Sequence, residues 1–197
     1  MKNSGLGVLC LLFVGCASIF GWNIHAPGVL SESFYPKFQT TQKRVALYLP
    51  DRVLSSISKN RGGKFADPQT YYLGESFTPM VIEGFQQVFD ELLFLEAEPS
   101  PAILKKYSIS YLVMINMKDF GNDVTMKGQA VRLTTEVQIY DQEAKLIKQY
   151  EALGSSDAQK IFSKKGGPEV NLNAAIENNI VVTLQFLQDF IRGGNHE

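Results

Sequence analysis

The sequence predicts an α+β domain in which a single mixed or antiparallel sheet carries two long helices packed on one face. Three observations support this reading. Two long segments repeat apolar residues at every third or fourth position, which puts them on one side of a helix. Shorter runs are continuously apolar or alternate with period two, as strands do. The order is strand, helix, strand, short helix, three strands, helix. One sheet that buries the apolar sides of both long helices is the economical packing for that order.

Taken in order, the domain (43–192) opens with Val45-Ala46-Leu47-Tyr48-Leu49, an apolar run stopped by Pro50 and read as a buried strand. Residues 54–72 carry Gly62, Gly63 and Pro68 and read as a long loop or an irregular hairpin. Thr78-Pro79 is the predicted helix start, with Thr as cap and Pro at the first helical position. Phe77, Val81, Phe85, Val88, Phe89 and Leu92 form its apolar side. Phe94 to Ala97 reads as a second strand ended by Pro99, and a short helix follows over Pro101 to Tyr107.

Ile109 to Met117 is apolar on both alternating sets, which predicts a central strand buried on both faces. Gln129 to Tyr140 alternates apolar with polar residues and predicts a strand with one wet face. Asp141 to Ala144 is a turn, and Lys145 to Leu153 returns as the partner strand. The closing helix runs from about Glu169 to Ile191, with Leu172, Ile176, Ile180, Leu184, Leu187 and Ile191 as its stripe. Gly193-Gly194 ends it, and 193–197 is a frayed tail.

The chain of 197 residues is 45% hydrophobic and 20% charged, which fits one domain plus a targeting segment. Its net charge of −1 gives no electrostatic basis for nucleic-acid binding. Its 2 cysteines, Cys10 and Cys16, both precede the domain, so the domain has no disulfide framework and no thiolate metal cage. Its 2 histidines, His25 and His196, lie near the two ends of the chain. A serine nucleophile needs a positioned base, and neither histidine offers one in the domain. No catalytic activity, metal or cofactor is expected.

Residues 1–15 have a weakly positive start in Lys2 and the amino terminus and continue in a short apolar run, Leu6 to Val14, broken by Gly7. A span of the bilayer core needs about 20 apolar residues, so this run is a secretory signal peptide. Phe13-Val14-Gly15-Cys16 resembles the lipobox of bacterial lipoproteins, although Phe13 stands where that motif usually has Leu. The resemblance implies cleavage between Gly15 and Cys16 and acylation of Cys16. Ala17 follows the cysteine, and by the sorting pattern of such lipoproteins this implies an outer-membrane location facing the periplasm. Residues 16–42, with Pro27, Pro36, Gly21 and Gly28 and no sustained period, read as a lipidated tether. Its aromatics Trp22, Phe34 and Tyr35 are candidate partner contacts; the plainer reading, which the sequence favours, packs them on the protein's own surface or at the membrane interface.

After that lipobox, the element order resembles the YajG-like outer-membrane lipoproteins. More distantly it is similar to the amino-terminal domain of TolB. The layout behind this is the apolar first strand, the helix running to Phe94-Leu95, the strand from Tyr111 to Asp119, the charged hairpin, and Asn173-Ala174-Ala175-Ile176 early in the closing helix. The resemblance implies an envelope accessory or assembly factor with a protein partner, and it transfers no functional residue beyond Cys16.

Other motifs have plain readings. Asp119 and Asp123 flank Gly121 and suit a turn, with a carboxylate pair for acid–base work or a hard cation as the alternative. Lys59 to Lys64 and Lys164 to Pro168 are basic, glycine-bearing loops without phosphate-loop spacing. Two functions follow as expectations: a non-catalytic, lipid-anchored interaction module, or a lipoprotein that binds a lipid, glycan or other small amphiphile in an apolar cleft.

Overall fold

A computed structural model describes residues 21–61, 67–125, 128–157 and 167–193. In chain order the elements are β1 (Trp22–Ile24), a 3-10 turn (Tyr35–Lys37), β2 (Thr41–Tyr48), α1 (Asp51–Leu54), β3 (Ile57–Asn60), β4 (Gln69–Tyr72), α2 (Leu73–Val88), β5 (Phe89–Leu95), α3 (Pro101–Lys106), β6 (Tyr111–Thr125), β7 (Gly128–Tyr140), β8 (Leu146–Ser155) and α4 (Pro168–Gly193). The α+β class holds, but the single sheet does not. There are two mixed sheets, a three-stranded one ordered β1-β4-β3 and a five-stranded one ordered β5-β2-β6-β7-β8. The extra sheet forms where the sequence reads as loop or irregular hairpin. Ile57–Asn60 pairs antiparallel with Gln69–Tyr72, and Trp22–Ile24 adds in parallel on the other side. Strands of three and four residues leave almost no periodic trace in a sequence, so only their pairing reveals them.

The five-stranded sheet follows the hydrophobic pattern. β2 is parallel to both β5 and β6, while β6, β7 and β8 run antiparallel. One face, with Val45, Leu47, Val113, Ile115, Val137 and Ile139, joins the main core under α2 and α4. All six predicted stripe residues of α4 are buried in that core. The opposite face is covered in part by α3, whose Leu104 packs with Ala46, Ile109 and Leu112. β8 and α4 approach closely at Gly154, where an added Cβ would lie 2.1 Å from the Ala175 carbonyl oxygen. The side chain of Asn179 fixes that contact. It donates to the carbonyls of Ala152 (2.8 Å) and Leu133 (3.2 Å) and meets Thr135 Oγ1 at 3.0 Å.

Three local expectations change. α2 starts at Leu73 rather than at Thr78-Pro79, and Pro79 lies inside the helix. Buried Leu73, Gly74, Ser76 and Phe77 give its first turns tertiary support, and the Gly74 amide donates to Ser56 O at 3.0 Å. That burial outweighs an interior proline, which costs about 3 kcal/mol. Next, α2 stops at Val88, so Phe89 and Leu92 belong to β5 and not to the helix. Finally, Asp119, Gly121 and Asp123 lie within β6, not in a turn. They pair with Thr134, Arg132 and Ala130 of β7 beyond a register shift at Met117/Asp119. The shift lets the strand pair bend while the ladder continues.

The described part of the 16–42 segment does not stand off as a tether. Ile24, Leu30, Phe34 and Phe38 are all buried in the main core. Prolines and glycines set the bends of this segment, and its spaced apolar side chains hold it down.

Candidate functional site

The N-terminal segment crosses α2 and α4 as a strap, and a groove lies beside it. The strap begins in β1, where the Trp22 amide donates to Pro68 O at 2.8 Å. His25 stacks on Tyr72 with centroids 4.1 Å apart and meets Glu75 at 2.9 Å. At Gly28 the backbone turns with φ +67, a left-handed conformation that favours glycine. Asn173 Oδ1 accepts from the amides of Gly28 (3.1 Å) and Val29 (3.3 Å), and its Nδ2 donates to Val29 O at 2.8 Å. Glu177 accepts from the amide of Ser31 (2.8 Å) and from its hydroxyl (2.7 Å). Asn173 and Glu177 are one helical turn apart and share a face of α4.

Farther along, Phe34 sits on Gly84, where an added Cβ would meet its ring at 3.2 Å. The Tyr35 hydroxyl donates to Glu83, and this bond holds the phenol above its ordinary range. Gln188 donates to Gln39 O, which secures the end of the strap on α4.

The groove has a volume of about 340 Å³ and is lined by Pro27, Ser31, Val170, Asn173, Ala174, Glu177 and Asn178. Its polar groups are already engaged: Glu177 by Ser31, Asn173 by the strap backbone, and Asn178 by Ser155 O at 2.7 Å. The exposed Val29 and Val170 add apolar surface at this end of α4. The arrangement secures the strap and leaves a shallow, largely apolar opening.

A second polar cluster joins the two sheets. Gln69 Oε1 accepts from Tyr71 OH and from Asn122 Nδ2, each at 2.7 Å. Gln129 Nε2 donates to Tyr71 OH at 2.5 Å and to Asn122 Oδ1 at 2.6 Å. Tyr71 also packs its ring on Phe120 at 4.9 Å. Burial drives the Tyr71 phenol well above its usual range, against the opposing bonds from Gln129 and Asn122. This cluster binds the bent ends of β6 and β7 to the small sheet.

The residues singled out in the sequence separate clearly. Gly15, Cys16 and His196 lie outside the described residues. Phe34 is fully buried and Tyr35 is half-buried on Glu83, so of the three aromatics only Trp22, 53% exposed, is well placed to touch a partner. Asp123 pairs with Arg132 at 3.0 Å on exposed strand surface. Lys59 ends β3 with Asn60, while 62–66 and 164–166 lie outside the described residues. Among the described residues there is no group of three or more His, Cys, Asp or Glu that could hold a metal. Nor is any described helix long and apolar enough to cross a membrane. The sequence gives Asn173 no role beyond the layout of the closing helix, and Glu177 is not singled out in it. Their signal was two polar residues spaced i, i+4 beside the apolar stripe.

No protein-family model matches the chain, and no curated protein matches it. The resemblance to YajG-like lipoproteins therefore has no family model behind it. Solved structures of similar arrangement include the hypothetical protein CT253 from Chlamydia trachomatis, 10% identical, with a TM-score of 0.43 over 77% of this chain and 95% of that one. A dodecameric PelC variant from Paraburkholderia phytofirmans is 7% identical, with a TM-score of 0.42 over 74% and 92%. The lipoprotein GNA1162 from Neisseria meningitidis is 7% identical, with a TM-score of 0.36 over 76% and 99%. At these values the three assign neither family nor function to this chain.

Proposed function

We propose that this chain is a lipid-anchored, non-catalytic accessory module of a bacterial envelope, held on the outer membrane through Cys16 and facing the periplasm. One observation carries the reading: a lipobox-like Phe13-Val14-Gly15-Cys16 follows a short apolar run and stands just ahead of Trp22, where the described fold begins. Cleavage before Cys16 would leave the whole described fold on the exported side. Each buried lipid methylene contributes about 0.8 kcal/mol, so two or three acyl chains would make the attachment effectively permanent. A groove whose polar groups are occupied by the protein's own strap suits an interaction module better than a substrate site. The partner is an envelope protein, as the YajG-like resemblance implies.

The test is fractionation of cells that express the wild type or Cys16→Ser. The wild type should sediment with the outer membrane and release only in detergent, and its mature mass should show acylation at Cys16. Cys16→Ser should leave the membrane fraction. A wild-type mature chain without acyl groups would sink the reading.

The alternative, binding of a lipid, glycan or other amphiphile, has its location in the 340 Å³ groove beside α4. Native mass spectrometry would detect a co-purifying amphiphile, and Ala174→Trp would expel it by filling the floor.

A further inference from the structure

The strap changes the geometry of anchoring. If residues 16–42 were free, the anchor would reach the domain through 26 peptide units, or about 90 Å of extended chain. With Trp22 fixed in β1 to Pro68 and Gln69, only six units separate it from Cys16, and these can span no more than about 22 Å. A domain of this size is about 40 Å across. A leash shorter than the body it holds selects which end of that body faces the membrane.

That end has the chemistry of a membrane contact. Trp22 is 53% exposed although its backbone is held in a strand. Tryptophan favours the headgroup layer because its ring is apolar and its N–H is polar. Gln69 of β4 pairs with Trp22 on one side and with Asn60 of β3 on the other, so Lys59 and Arg61 lie at the same end. Both are exposed, and neither forms an ion pair among the described residues. Asp67 is the acidic residue of the same edge, so Lys59 and Arg61 outnumber it among the described residues of β3, β4 and the chain between them.

We infer that the end of the three-stranded sheet bearing Trp22, Lys59 and Arg61 rests against the phospholipid surface that anchors Cys16. The inference builds on the lipoprotein reading. It commits to a bilayer surface with anionic headgroups as the occupant of this end.

Because Trp22 is the 1 tryptophan of the chain, its fluorescence reports this end alone. The full-length chain, processed in cells and purified in detergent, is reconstituted into vesicles of phosphatidylethanolamine and phosphatidylglycerol, with or without brominated acyl chains. Trp22 emission should move to shorter wavelength and be quenched about twofold by the brominated lipid, as an interfacial indole would be. Lys59→Glu combined with Arg61→Glu should reduce the quenching while the protein still floats with the vesicles. An acylated protein that floats but shows the Trp22 emission of the unacylated Cys16→Ser chain in buffer, with no quenching by the brominated lipid, would overturn the apposition and leave the lipoprotein reading intact. A chain whose mass shows no acyl groups would overturn both.

Discussion

Replacing Phe34 by Ala decides whether the N-terminal segment is a strap or a tether. Phe34 is 0% exposed, and its ring lies 5.0 Å from Phe38 at 48° and 5.8 Å from Tyr35 at 86°. Stripping roughly 150 Å² of buried aromatic surface at about 25 cal/mol per Å² costs about 4 kcal/mol. Measured Phe→Ala losses in packed cores fall at about 3–5 kcal/mol, which agrees. The ring seats on Gly84, a closely packed point between α2 and α4, so little can collapse into the space. With a urea slope of about 2 kcal/mol per M, the unfolding midpoint should fall by about 2 M. Far-ultraviolet circular dichroism would read the midpoint, and amide hydrogen exchange should show lost protection first over 22–38. A true tether residue would behave like an exposed one, changing stability by no more than about 0.5 kcal/mol. A midpoint shift below about 0.3 M would therefore refute the burial of this part of the strap.

Two further outcomes follow from the structure. Gly154→Ala would push a Cβ to 2.1 Å from Ala175 O and 2.4 Å from Asn179 N, so α4 must move off β8 and strain the Asn179 bonds; a loss of at least about 3 kcal/mol is expected in urea unfolding, and a change under about 1 kcal/mol would contradict the close approach. Burial raises the phenol of Tyr150, whose hydroxyl donates to Thr183 O at 2.9 Å. A raised folded value means the stabilisation is fully present below the unfolded value of about 10 and is lost as pH climbs beyond it, so stability should fall steeply above pH 10 and less steeply in Tyr150→Phe; parallel declines in the two proteins would count against the buried phenol.

The part of the molecule legible in the sequence is the part whose pattern is local. The stripe of α4 repeats over many turns, and every one of its residues reaches the core. The alternation of β7 likewise predicts its wet and dry faces, with Val131, Leu133, Val137 and Ile139 inward and Arg132 outward. The strands from β6 to β8 share short connections, so their antiparallel pairing also follows from chain order. Residue types near the start, with Cys16 after Gly15, carry the export and anchoring expectation on their own.

Tertiary structure decided what depends on a distant partner. Trp22–Ile24 becomes a strand only because Gln69–Tyr71 offers an edge, and nothing within three residues of sequence encodes that pairing. The start of α2 moves to Leu73 because burial outweighs the missing amide of Pro79. Asn173 and Glu177 gain a role only when the backbone of Gly28 to Ser31 is laid across them. The same residues that read as a tether, with several Pro and Gly, lie packed on the domain because Ile24, Leu30, Phe34 and Phe38 find a core to enter. Composition records how willing a segment is to bend, whereas the surface it meets determines whether it stays bound.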